Sequence, residues 1–141
     1  MSLSLMLTFL MAVTFVASSG QKSWEETRRY AESQHEVVLL LIKNKEFSSV
    51  LEESRKIFTL KFPVEHQTLL VEGADEISDA LSHEGQNELA QQVLDQCMEA
   101  LESDPLRAAV HKNKAFLFKE MGMDDEAMVH FKKATELLEI P

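Results

Sequence analysis

The chain has 141 residues, 45% hydrophobic and 27% charged, which is enough apolar material for one globular domain and too much for a disordered segment. Its formal net charge of -10 weighs against nucleic acid as a partner, because binding a polyanion needs clustered Lys and Arg to displace counterions. With a single cysteine, Cys97, neither an intrachain disulfide nor a cysteine-rich zinc site can be built, and the scarcity of Gly and Pro among abundant Leu, Glu, Ala, Lys and Gln points to an all-α fold.

The chain begins with an apolar stretch, Leu3 to Val16, interrupted only by Ser and Thr and followed by Ala17, Ser18, Ser19 and Gly20, with no charge before Lys22. The pattern predicts a secretory signal over residues 1–19, cleaved before Gly20, and an exported domain over 20–141. The first residues lack the Lys or Arg of a usual signal, so other readings stay open. A retained membrane anchor needs ~20 apolar residues, and the charges of Lys22, Arg28 and Arg29 would then hold the body in the cytoplasm. The segment could instead be an apolar helix folded onto the domain, or the product of a misplaced start. A membrane is a partner only if the segment is retained.

Beyond it, the apolar periodicity predicts three helical hairpins, over about 24–63, 64–105 and 106–141. The first pairs Trp24 to Lys43 with Glu46 to Leu60, the second Glu65 to His83 with Gln86 to Leu101, and the third Leu106 to Met121 with Asp124 to Leu138. Pro63, Pro105 and Pro141 punctuate the units, and either Ser103 or Asp104 can cap the helix that Pro105 opens. The third hairpin carries Ala115, Phe118, Gly122, Ala127, Phe131 and Ala134, a small and a large residue on one face, a turn glycine, and a second face at i, i+4, i+7.

That order and spacing resembles the tetratricopeptide repeat. Gly85, Leu89, Ala90, Leu94 and Cys97 repeat it at an offset of 37 residues, and Phe47, Val50, Ser54 and Ile57 repeat it faintly at an offset of 40. Departures are Ile77 and Lys114 at the seventh position of the repeat, Ser78 at the small eighth position, and the lack of a terminal capping helix. The resemblance implies a short right-handed α-solenoid in which three hairpins stack to bury a continuous core. An unrelated six-helix bundle is the alternative.

No phosphate loop, nucleophile elbow or activated cysteine context is present, which predicts a protein without catalytic activity or cofactor. Cys97 falls on the apolar face Leu94, Cys97, Met98 and Leu101 and reads as a buried inert thiol. His35, His66, His83, His111 and His130 form no i, i+4 pair and read as scattered surface residues rather than metal ligands. A metal-dependent α-helical enzyme would need histidines and carboxylates to converge in space.

A charge pattern is more specific. Glu72, Asp75, Glu76 and Asp79, at i, i+3, i+4, i+7, make an acidic stripe on one helix. The resemblance places them, with Lys112, Asn113 and Phe116 of the next hairpin, on a concave groove that holds a polypeptide, acidic in the middle and basic at the end. At the positions where related proteins clamp an acidic tail with Lys and Asn, this chain has His35, Glu36, Leu39, Asp75, Glu76 and Asp79. The expected partner is therefore a basic or mixed-charge protein or peptide. Two other roles are an anchored scaffold and a structural subunit that self-associates through an apolar patch around Trp24, Tyr30 or Phe116. The intact mass of the full-length chain, expressed with its own amino terminus, should show the loss of residues 1–19; an uncleaved soluble chain overturns the signal reading.

Overall fold

Ser23 opens the first helix, its side chain accepting a hydrogen bond from the Glu26 amide at 3.2 Å while Glu25 and Glu26 place negative charge at the positive end of the helix dipole. A computed structural model describes residues 23–139 of the protein, so the expected signal or anchor over 1–19 lies outside the described residues. These residues form six α-helices and no strand: α1 (Trp24–Lys43), α2 (Val50–Phe58), α3 (Thr68–His83), α4 (Asn87–Ala100), α5 (Asp104–Glu120) and α6 (Asp124–Leu137). None of them is long and apolar enough to cross a membrane.

The all-α expectation is met, and the boundaries shift for local reasons. The second helix begins with a 3-10 turn, Phe47–Ser49, before α2 proper, and Pro63 leads into another, Val64–His66, before α3. In that second linker, Trp24 stacks on His66 at 4.2 Å between ring centroids and meets Phe62 edge-on at 4.9 Å. The buried Gln67 donates to the Phe62 carbonyl at 3.2 Å and accepts from the Glu102 amide at 3.0 Å. Trp24 is thereby used inside the domain. The helix α5 starts two residues earlier than the sequence suggests, because Ser103 is the cap and Pro105 is tolerated in the first turn.

The helices pair in chain order, α1 with α2, α3 with α4 and α5 with α6, and the pairs join side by side: α1 against α3, α3 against α5, α2 against α4, and α4 also against α5. One apolar cluster runs through them, from Ala31, Val38 and Ile42 through Val50, Ile57, Leu70, Ile77 and Leu81 to Leu94, Cys97, Val110 and Leu117. Where hairpins meet, polar bridges supplement it. Ser54, fully buried, donates to Gln96 at 2.6 Å, and Gln96 donates to the Leu51 carbonyl at 3.0 Å, tying α4 to α2. Lys114 reaches from α5 to an ion pair with Asp95 of α4, at the position where the second hairpin buries Ile77.

The same turn closes all three pairs. Lys45, Gly85 and Gly122 have φ of 60°, 75° and 74°, and the following Glu46, Gln86 and Met123 have φ of -91°, -92° and -96°. In each, the left-handed residue donates three residues back, to Ile42, Ser82 and Lys119, and the next amide donates five back, to Leu41, Leu81 and Phe118, at 2.8–2.9 Å. That is the Schellman end of a helix, and its left-handed residue favours glycine. Lys45 holds the position without being one. Replacing Lys45→Gly should raise stability by about 1 kcal/mol, and Gly122→Ala should lower it by a similar amount, as read by urea unfolding. A Cβ at Gly122 meets nothing within 4 Å, so the loss is one of backbone conformation.

Candidate functional site

The acidic stripe of α3 is exposed along its length, at Glu72, Asp75, Glu76 and Asp79. Partial burial first, then the negative charges of Asp79 and Glu76, hold the Asp75 carboxyl above its ordinary range. The stripe is thus a set of like charges crowded on one face, with Glu76 accepting a partner from outside: His35 of α1 lies with Nε2 2.9 Å from its carboxylate oxygen. Among the described residues, Glu72, Asp75 and Asp79 make no side-chain ion pair.

On α5, which lies beside α3, Lys112 is exposed and Asn113 half-buried. Phe116 is 45% exposed, with its ring edge-on to Phe131 of α6 at 5.1 Å between centroids. Among the described residues no ion pair joins Lys112 to the acidic stripe, so the two halves of the expected groove sit on neighbouring helices without neutralising each other directly.

The structure adds a feature that charge spacing did not indicate. Between α1 and α3 lies a cleft of about 210 Å³. Its floor is apolar and buried, made by Ala31, Ile57, Phe58, Phe62 and Leu70, and Leu69 stands at its lip 42% exposed. Around the rim are Arg28, Glu32, His35, Glu36 and Glu76. Of the residues singled out in the sequence, Glu76 borders the cleft. Gly73 also lines it, in the interior of α3, where glycine costs about 1 kcal/mol of helix stability relative to alanine. A Cβ there would lie 3.5 Å from the His35 ring, an ordinary contact, so packing does not demand the glycine.

The histidines are not all surface residues. His130 is 9% exposed and pairs with His111 across the third hairpin, Nδ1 to Nδ1 at 3.1 Å, with Phe118 stacked on the His130 ring at 5.4 Å. Both sit in a slot that every hairpin has. In the first, Gln34 donates to the Glu53 carbonyl and carboxylate at 2.9 and 2.6 Å; in the second, Ala74 and Val93 are wholly buried there. A sequence signal existed: in each pair the first residue stands 11 positions before the turn residue and the second 8 after it, at offsets of 40 and 37 from hairpin to hairpin. Among the described residues no group of three potential ligands could hold a metal. Cys97 is fully buried, and burial pushes its thiol up to about 12, as its apolar face suggested.

No family model matches the chain, and neither a curated protein nor a solved structure does.

In the histidine slot, one Nδ1 must donate and the other accept, so the two rings cannot both be protonated while the bond persists, and below pH ~6.5 the native pair holds fewer protons than two free imidazoles. Desolvation, aided by Lys114, His111 and Lys133 against an opposing Asp95, lowers His130 to about 4; His111 is lowered by desolvation, Lys133 and Lys114. Unfolded histidines titrate near ~6.5. The unfolded chain therefore takes up protons first, and stability should fall as pH drops from about 6.5 to about 4. The double variant His111→Ala/His130→Val, which copies the second hairpin, should flatten that decline in urea unfolding measured across the range.

Proposed function

We propose that this protein is a non-catalytic, tetratricopeptide-like module that holds a partner polypeptide on the face formed by α1, α3 and α5. Three hairpins closed by one turn geometry, at sequence offsets of 40 and 37, support the solenoid reading. The observation that carries the binding role is the acidic stripe at Glu72, Asp75 and Asp79, which make no ion pair among the described residues. Partial burial and the like charges of Asp79 and Glu76 raise the Asp75 carboxyl above its ordinary range, a cost that a cationic partner would relieve. Such a face is complementary to a partner bearing Lys or Arg, with Lys112, Asn113 and Phe116 extending the contact toward the third hairpin. Within this reading the apolar amino-terminal segment serves export, and the partner belongs to the periplasm or the extracellular space; if the segment is retained, it serves as a membrane anchor.

The test is co-purification from the source cells with the wild-type chain and with Asp75→Lys/Asp79→Lys. A partner retained by the wild type should be lost from the variant at 0.15 M salt, while its melting temperature stays level or rises as like-charge repulsion is relieved. Equal retention by both overturns the acidic-face reading.

A further inference from the structure

We propose that the cleft between α1 and α3 is an anchor pocket that accepts one large apolar side chain, Leu, Met or Phe, from a partner segment whose flanking residues are basic. The proposal rests on the polypeptide-binding reading and names the chemistry of the segment bound. Three observations converge on it. At about 210 Å³ the cleft is smaller than the roughly 300–1,000 Å³ of sites for whole small molecules, and its buried floor of aliphatic and phenyl groups suits a single side chain. The rim carries Glu32, Glu36 and Glu76 against Arg28 and His35. Arg28 is shared between Glu25 and Glu32 at 3.5 and 3.6 Å, His35 lies 2.9 Å from Glu76, and Glu36 makes no ion pair among the described residues, so carboxylates outnumber cations at the rim. The acidic stripe continues from Glu76 along α3. A segment entering the cleft therefore meets carboxylates on both sides of its apolar residue.

Gly73 is the third observation. Glycine is, after proline, the residue least suited to a helix interior, and the 3.5 Å clearance to His35 would admit a methyl group. What a side chain at this position would do is enter the cleft that Gly73 lines. The glycine keeps the pocket open at the expense of the helix that bears it, a combination that packing within the domain does not explain.

The test uses the full chain and two fluorescein-labelled peptides, Lys-Lys-Leu-Lys-Lys and Lys-Lys-Ser-Lys-Lys, followed by fluorescence anisotropy at about 0.15 M salt. Burial of the leucine should make the first bind about tenfold tighter than the second. Gly73→Leu should remove that difference without lowering the melting temperature. Equal binding of the two peptides, no binding of either, or a preference that persists in Gly73→Leu overturns the pocket. Should Gly73→Leu fail to fold, Leu69→Ser at the exposed lip should shrink the preference, and an unchanged preference overturns the pocket as well. The charge-reversed Asp75→Lys/Asp79→Lys separates the two readings. Equal, weak binding of both peptides that reversal abolishes leaves the acidic face standing and removes the pocket. A leucine preference and overall affinity that survive reversal leave the pocket and remove the acidic face.

Discussion

A left-handed residue at the end of the first helix of each pair is the constraint on which the rest of the domain depends. With Lys45, Gly85 and Gly122 at positive φ, the two Schellman hydrogen bonds of each turn end one helix and aim the next back along it in one fixed register. Register then decides which side chains meet. Val38 and Val50, Ser78 and Ala90, and Ala115 and Ala127 fall at matching buried positions, and one slot deeper in each hairpin takes Gln34 with Glu53, Ala74 with Val93, or His111 with His130. The backbone geometry is common to the three, and the chemistry placed in it differs.

Contacts between hairpins are less uniform, and they fall where the sequence departs from its own pattern. Ser54 stands where Leu94 and Phe131 stand in the later hairpins, and its hydroxyl holds Gln96 of the neighbouring unit. Lys114 leaves the apolar pattern to reach Asp95. The second helix of the last hairpin buries Ala127, His130 and Ala134, small or polar groups that suit a close approach to α5, and its exposed Met128, Val129 and Leu138 lie off that contact. A larger apolar inner face would have no further helix among the described residues to pack against.

Electrostatics and packing work against stability in one region. Burial and the neighbouring Asp79 and Glu76 disfavour the ionised form of Asp75, and Gly73 weakens the same helix two residues away. Gly73 lies on the side of α3 that lines the apolar cleft with its carboxylate rim, and Asp75, two positions on, lies away from the cleft on the exposed stripe. Local departures from the most stable choice concentrate at sites under functional demand, because elsewhere the more stable residue carries no penalty.

Helix identity was legible in the amino-acid order. The 3.6-residue apolar period marks α1 to α6, Gly85 and Gly122 mark two turns, and Ser103 with Pro105 marks the start of α5, since each depends on neighbours in sequence. The acidic stripe was legible for the same reason, as charges at i, i+3, i+4 and i+7 must share a helix face. The break between Lys43 and Glu46 was legible too, but the left-handed conformation at Lys45 was not, because lysine carries no left-handed preference and the packing of Leu41, Ile42 and Val50 on either side holds it there. Nor were the Lys114–Asp95 bridge, which joins two hairpins, or the cleft at Gly73, whose lining runs from Arg28 to Glu76; the spacing set His111 opposite His130 but did not show that their rings would be withdrawn from water together. Local order determined which segments are helical and which charges share a face; tertiary structure decided which side chains meet, because that depends on how helices distant in sequence are set against one another.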